Sequence, residues 1–229
     1  MENKVVDIEI VKQIATALQD LRPDFAFVGG SIVSLYVNDP SADTVRQTID
    51  IDLSISLKGY GAWARLQDEL SRLGFSPDRD SKIICRYLYN GVTVDIMPDD
   101  ENILGFSNPW YKSGLAKLEP HLLDNGLSIN LFPLPYFIAT KFSAFRGRGR
   151  GDHRTSHDFE DIVYAIDNVT NVVDQIKSAD EDVKEFLTSE YRAVLDHQNR
   201  KEIISCHLSK LIRDARYPLI VDKIAEIVG

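Results

Sequence analysis

The stretch that decides the fold is residues 49–56, which read Ile-Asp-Ile-Asp-Leu-Ser-Ile-Ser. Apolar and polar residues alternate through it without a break, a pattern typical of a β-strand with one face toward a core. Asp50 and Asp52 are two positions apart and leave the same face, and Ile49 and Ile51 are expected on the core side. Adjacent carboxylates repel each other unless a positive charge, such as Mg²⁺, lies between them. A solvated sheet edge with acids on its wet side is the alternative interpretation of this pair.

A third carboxylate lies in a second strand pattern. Residues 92–97 alternate in the same way and place Asp95 out of phase with their apolar side chains. Residues 83–89 also predict a strand, and Asn90-Gly91 between the two is the preferred type I′ hairpin turn. If the strand of Asp95 neighbours that of Asp50, three carboxylates converge on one patch. Such a patch is typical of a site that holds two metal ions about 3.5–4 Å apart.

A glycine turn precedes the acid pair. Residues 25–28, Phe-Ala-Phe-Val, predict a short buried strand that ends at Gly29-Gly30, and Ser31 is the expected N-cap of a helix over 32–37. Glycines permit close approach of a ligand, and free amides at a helix N-terminus attract phosphate. Taken alone, the turn is better explained as a tight turn with a serine cap. Together with three acids, it favours a phosphate-binding turn.

The remaining pattern predicts an α+β fold. Strand signals end before residue 155, with one more strand expected over 127–132. We therefore predict an N-terminal catalytic lobe, residues 1–150, and a C-terminal helical lobe, residues 151–229. The helical stretches predicted from apolar periodicity are 6–21, 63–73, 135–145, 159–166, 180–198, 201–213 and 217–228.

On these motifs the chain resembles the nucleotidyltransferase superfamily, whose fold is named after DNA polymerase beta. The motifs are residues 27–31, 48–53 and 94–96, followed by Lys141 and then by residues 158–162, Asp-Phe-Glu-Asp-Ile. Within the superfamily the chain is most similar to the toxin-type nucleotidyltransferases of abortive-infection and toxin–antitoxin systems. The resemblance implies a mixed β-sheet flanked by helices.

The resemblance also implies site residues. Asp50, Asp52 and Asp95 would be catalytic and would hold two Mg²⁺ ions, with Asp95 also helping to activate the attacking hydroxyl. Lys141 would also be catalytic and would neutralise the triphosphate. The full set implied to bind the nucleotide is Gly29, Gly30, Ser31, Lys141, Arg146, Arg148 and Asp158.

One segment departs from the family pattern, and a second segment allows two interpretations. Residues 38–43 lengthen the gap between the glycine turn and the acid pair, as an apparent insertion. Residues 145–154 place four arginines among three glycines, opposite in sign to the chain as a whole. Arginine suits phosphate because its planar fork donates two parallel hydrogen bonds. A solvated linker is the alternative interpretation of this arginine-glycine segment.

Composition excludes several classes of protein. The 229 residues include 35 Asp and Glu against 26 Lys and Arg, for a formal net charge of −9, and 44% are hydrophobic, which argues against disorder and against indiscriminate polyanion binding. Cys85 and Cys206 form no disulfide framework. No apolar run approaches ~18 residues, and residues 1–7 lack the apolar segment of a signal peptide. We expect a cytoplasmic protein with no membrane partner.

The function predicted from the sequence is Mg²⁺-dependent transfer of a nucleoside monophosphate from an NTP such as ATP to an acceptor hydroxyl, an activity of the EC 2.7.7 type. The acceptor would be the end of a tRNA or another RNA, or a protein side chain. The protein would be the toxin of a toxin–antitoxin or phage-defence system, with a cognate antitoxin as partner. An antibiotic adenylyltransferase and an inactive nucleotide-binding module are the alternatives.

Overall fold

The computed structural model describes residues 8–148 and 151–229. The described residues divide into two compact units, one made of those up to Ile32 together with Arg46–Pro133, the other of Val33–Val45 together with those from Leu134 to Gly229. The predicted lobes, divided at residue 150, remain a prediction. Residues 1–7, on which the absence of a signal peptide was predicted, and Arg150 of the arginine-glycine segment lie outside the described residues.

The first unit contains seven strands, four α-helices and a 3-10 helix. In chain order these elements are α1 Ile8–Ala17, the 3-10 helix Gln19–Asp24, β1 Phe25–Val28, β2 Asp50–Ile55, α2 Gly59–Arg72, β3 Ser76–Pro77, β4 Arg86–Tyr89, β5 Val92–Pro98, α3 Glu101–Leu104, α4 Tyr111–Leu115, β6 Glu119–Leu122 and β7 Ser128–Leu131. A second 3-10 helix, Gly30–Tyr36, runs along the chain from the first unit into the second.

The strands form one mixed sheet in the order β3-β4-β5-β2-β1-β7-β6. β2 pairs with β5 and β1 with β7 in parallel, and the other neighbours are antiparallel. Strands β2 and β5 are central, which is why their apolar side chains, such as Ile51 and Val94, are fully buried. This mixed sheet flanked by helices confirms the predicted α+β fold.

The helices of the first unit cover the sheet with their apolar stripes. Val11, Ile14 and Leu18 at the α1 end of the chain are fully buried, and Trp63 and Leu70 form the buried side of α2. These side chains recur every three or four residues, so they leave one side of each helix. Helix α2 ends where predicted, because Gly74 follows with a φ of +91° that other residues rarely adopt.

Two local predictions in the first unit were wrong. Ile49, expected in the core, precedes β2 and is half exposed. The segment after β1 is a 3-10 helix that begins at Gly30, so Ser31 lies inside its first turn and does not cap an α-helix at Ile32. Two consecutive glycines before Ser31 leave the α-helix no strong start signal, and the tighter 3-10 turn forms there.

The second unit is helical. Its α-helices are α5 Leu134–Arg148, α6 His157–Asn168, α7 Val172–Lys177, α8 Glu181–Asp196, α9 Arg200–Ser205 and α10 Arg213–Val228. Helix α5 is buried over most of its length and packs against α6 and α8. Phe142 meets Tyr191 of α8 edge to face, with ring centroids 5.1 Å apart.

The apparent insertion, residues 38–43, belongs to the second unit and is tied to its helices. Asp39 accepts two hydrogen bonds of 3.0 Å from the guanidinium of Arg216 on α10. Asn38 accepts a 2.7 Å bond from the backbone N–H of Thr170, and Tyr164 donates to the carbonyl of Asp43. The added loop is therefore anchored to α6 and α10.

Among the described residues, no helix combines the length and apolarity needed to cross a membrane.

Candidate active site

Three aspartates meet on the two central strands of the first unit. Asp50 and Asp52 lie on β2, and Asp95 lies on β5 directly opposite Asp52 in the parallel register. Asp95 is buried, whereas the side chains beside it on β2 are partly exposed. The two strands are neighbours, which is the condition for convergence of the three carboxylates, and a parallel pairing brings these distant parts of the chain together.

A glycine lies against the second of these aspartates. Val28, the last residue of β1, pairs with Asp52, and the chain then turns through Gly29 with a φ of +77°. A Cβ at Gly29 would lie 2.6 Å from Cγ of Asp52 and 2.7 Å from its Cβ. Real Cβ atoms do not approach other atoms so closely, so the turn can pack against this carboxylate only if residue 29 has no side chain.

Ser31 presents a buried hydroxyl just beyond this turn. Its Oγ has no hydrogen-bond partner among the described residues. A buried hydroxyl without a partner loses the hydrogen bonds that water would give it, and such a group requires an explanation. A phosphate oxygen would satisfy it, which fits the predicted phosphate-binding turn.

An arginine that the sequence analysis did not single out joins two of the acids. Arg86 of β4 donates from Nε to Oδ1 and from Nη2 to Oδ2 of Asp95, both at 2.8 Å, and its Nη2 also lies 3.4 Å from Oδ2 of Asp50. These carboxylates, mainly that of Asp95 through its hydrogen bonds, raise the pKa of Arg86 above its usual value. The guanidinium is thus a fixed positive charge in this cluster.

The hairpin turn contains the signal that would have revealed Arg86. Asn90 and Gly91 have φ values of +49° and +79°, as a two-residue type I′ turn requires. Counting outward from such a turn pairs Tyr89 with Val92 and places Arg86 opposite Asp95, which is the observed register. A bidentate arginine–carboxylate pair follows directly from that register.

The acids offer the right donors for a divalent cation, but Arg86 is already paired with two of them. Carboxylate oxygens are the ligands that Mg²⁺ prefers, so the donor chemistry of Asp50, Asp52 and Asp95 fits this ion. As the side chains lie in the described ranges, however, no group of three or more His, Cys, Asp or Glu residues is arranged to hold a metal ion. The positive charge beside these carboxylates is instead that of Arg86, which donates to both oxygens of Asp95.

A second charged cluster lies in the second unit, around Lys141 of α5. Nζ of Lys141 lies 2.6 Å from Oδ2 of Asp161 and 3.4 Å from Oδ1 of Asp158. The two aspartates are three positions apart on α6, so they share one side of that helix. The side chains of Lys141 and Asp161 are only 5% and 1% exposed, so they form a buried ion pair. Removal of either partner would leave the other as an uncompensated buried charge. Asp161 lies within the motif of residues 158–162, whose sequence alone does not reveal this pairing.

Arg148 completes this cluster from the end of α5. Its Nε and Nη2 donate to the two oxygens of Asp158 at 2.8 and 2.9 Å, in the fork geometry expected of an arginine–carboxylate pair. Burial acts to raise the pKa of Asp158, but Arg148 and Lys141 outweigh it and hold this pKa below its usual value. Asp158 is thus an anchor that holds both cations in place.

The other arginine predicted to bind the nucleotide has a different partner. Arg146 forms an ion pair with Glu190 of α8, and its guanidinium lies over the ring of Phe186 with a separation of 5.6 Å. Burial raises the pKa of Glu190, although Arg146 acts against that shift. Arg146 and Arg148 therefore belong to separate ion pairs within the second unit.

The structure thus arranges the predicted site residues in two groups. Gly29 and the three aspartates come together in the first unit, where Gly30 and Ser31 continue the turn, and Lys141, Arg148 and Asp158 come together in the second.

A family model described as the nucleotidyl transferase AbiEii toxin of a type IV toxin–antitoxin system matches residues 14–224. No curated protein matches the chain.

Proposed function

The chain belongs to the AbiEii nucleotidyl transferase toxin family of type IV toxin–antitoxin systems, and from this we propose that it transfers a nucleoside monophosphate from an NTP to an acceptor hydroxyl with the help of Mg²⁺. The observation that supports this most is the register of β2 on β5, which sets Asp52 opposite Asp95 with Asp50 two residues away. Hard oxygen donors grouped in this way suit the transfer of a phosphoryl group.

We assign the metal to the three aspartates. Asp50 and Asp52 would hold both Mg²⁺ ions, and Asp95 would complete the site of one of them. When bound, the ions would stabilise negative charge on the phosphate oxygens. In addition, Asp95 would accept the proton of the acceptor hydroxyl as that hydroxyl attacks the α-phosphate and pyrophosphate departs.

We propose that the phosphates of the NTP are bound by the glycine turn with Ser31 and by cationic side chains. Gly30 and Ser31 would hold the β- and γ-phosphates, since the unpartnered Oγ of Ser31 suits a phosphate oxygen. Lys141, Arg146 and Arg148 would contribute positive charge toward the triphosphate. Because Asp158 and Asp161 fix the position of Lys141, these aspartates would set where that charge lies.

The acceptor and the partner complete the proposal. We propose an RNA end, such as that of a tRNA, as the acceptor, with a protein side chain as the alternative. The net charge of −9 disfavours an extended RNA footprint, so contact with one RNA end is the simpler arrangement. Members of this family act as toxins with a cognate antitoxin, and such an antitoxin is the expected protein partner.

The test is a labelling assay with Asp52→Asn. Purified protein is incubated with radiolabelled NTPs, Mg²⁺ and total RNA, and label in RNA and in protein is measured separately. We expect the Asp52→Asn variant to lose about a hundred-fold or more of the labelling rate. Asp68→Asn, which removes an exposed carboxylate from α2, is the matched control and should label like the wild type. Equal labelling by both variants would refute the mechanism, and NTP binding without turnover in the wild type would favour an inactive module.

A further inference from the structure

Arg86 pairs with two of the carboxylates that the proposed function assigns to Mg²⁺, and this has a consequence for that function. Its guanidinium spans three neighbouring strands, from β4 across Asp95 on β5 to Asp50 on β2. Both oxygens of Asp95 accept hydrogen bonds from it. Each of these oxygens retains a lone pair, but a divalent cation bound to the same carboxylate would lie close to the guanidinium, and the two positive charges would repel each other.

We propose that Arg86 is a built-in counter-ion that competes with the divalent cation for Asp50 and Asp95, and that metal binding displaces its side chain. This inference rests on the proposed function, since it concerns the same carboxylates. It assigns to Arg86 a role that is regulatory: the resting site is held by an internal cation, and the metal must replace it.

The metal ion and Arg86 are both attracted strongly to the same carboxylates. A divalent cation carries twice the charge of a guanidinium and prefers carboxylate oxygens, so it can displace the arginine. The bidentate pair of Arg86 with Asp95 is charge-assisted and mostly shielded from water, so its release carries a free-energy cost. The free energy gained when the metal binds the carboxylates is reduced by the free energy needed to release Arg86. The measured metal affinity would reflect the difference between these two free energies.

The geometry of β4 allows the side chain to leave without disturbing the sheet. Arg86 is held in register by the backbone pairing of β4 with β5, which is independent of its guanidinium. The neighbouring residues of β4 and the preceding loop, Cys85 and Tyr87, are buried on the other side of the strand and keep it in place. About a fifth of the Arg86 side chain is exposed, so a path into solvent is open.

A direct titration of Mn²⁺ into the protein without nucleotide tests the proposal. Removal of the competitor in Arg86→Gln should tighten Mn²⁺ binding about ten-fold, because the charge-assisted bonds to Asp95 no longer have to be released. Arg86→Lys keeps the charge but loses the fork, and its affinity should lie between those of the wild type and Arg86→Gln. Arg65→Gln removes the same charge from an exposed position on α2 and should bind Mn²⁺ like the wild type.

A thermal unfolding series keeps the test decisive if the variant is less stable. Without metal, Arg86→Gln should unfold at a lower temperature than the wild type, because its aspartates repel one another, and Mn²⁺ should raise its Tm by more than it raises that of the wild type. Unchanged or weaker Mn²⁺ binding in Arg86→Gln would overturn the proposal and leave Arg86 as a cross-strand stabiliser. That result would not touch the labelling assay, and a wild type that binds Mn²⁺ but labels nothing would refute the proposed function alone. If neither the wild type nor Arg86→Gln binds Mn²⁺, both proposals are wrong.

Discussion

Gly29→Ala is the substitution for which the structure predicts the sharpest effect. The new Cβ would lie 2.6 Å from Cγ of Asp52 and 2.7 Å from its Cβ, whereas ordinary contact begins at 3.4 Å. The carboxylate or the turn must therefore shift by about 1 Å, and a displacement of that size in a catalytic group lowers a rate by about a hundred-fold. The positive φ of +77° adds a backbone cost of about 1–2 kcal/mol to the alanine variant.

A second glycine separates these two effects. Gly126 has a φ of +82° in the turn between β6 and β7, and a Cβ there would meet nothing within 4 Å. Gly126→Ala should therefore lose a similar amount of unfolding free energy in urea titrations and keep its nucleotide-transfer rate. Gly29→Ala should lower the unfolding free energy and should also lower the nucleotide-transfer rate and the affinity for Mn²⁺. If Gly29→Ala retained the wild-type rate, the close packing of this turn on Asp52 would have no part in the reaction.

The remaining predictions concern buried titratable groups. Asp161→Ala leaves Lys141 with a weaker partner in a buried site and should cost about 3 kcal/mol of unfolding free energy, measured in urea; a loss below about 1 kcal/mol would show that Lys141 finds another partner. Because the folded pKa of Asp158 is lowered, its contribution to stability should be complete above about pH 4 and decline below it, so the stability difference from Asp158→Asn should shrink on acidification. Arg148→Gln should reduce that pH dependence. Burial, aided by nearby carboxylates, raises the pKa of Cys85 to about 12, so alkylation of the native protein at about pH 8 should leave this thiol unmodified, and rapid labelling would contradict its burial.

The strands of the site follow from short-range patterns. Alternation over residues 49–56 predicted β2, and the Asn90-Gly91 turn predicted the hairpin of β4 and β5, because both signals depend on neighbouring residues alone. The parallel pairing of β2 with β5 could be stated only as a condition, since nothing in either strand specifies a partner some forty residues away. It is this long-range pairing that brings Asp52 and Asp95 together.

The ion pairs were harder to predict for the same reason. Lys141 was identified from its motif, but its partner Asp161 depends on how α5 packs against α6, which periodicity does not reveal. The 3-10 helix after β1 was missed because propensity scarcely distinguishes it from an α-helix over a few residues. Arg86 is the exception, since the hairpin register alone would have placed it opposite Asp95.

The length of the Asn90-Gly91 turn has a consequence for how such a site can be changed. Side chains alternate between the two sides of a sheet, so a slip of β4 by a single residue would send Arg86 to the opposite side and bring Cys85 or Tyr87 across from Asp95. Insertion or deletion of one residue in the turn would thereby exchange a cation for a neutral group without altering any aspartate. The turn is thus an engineering handle, through which the loop length tunes the electrostatics of the carboxylates.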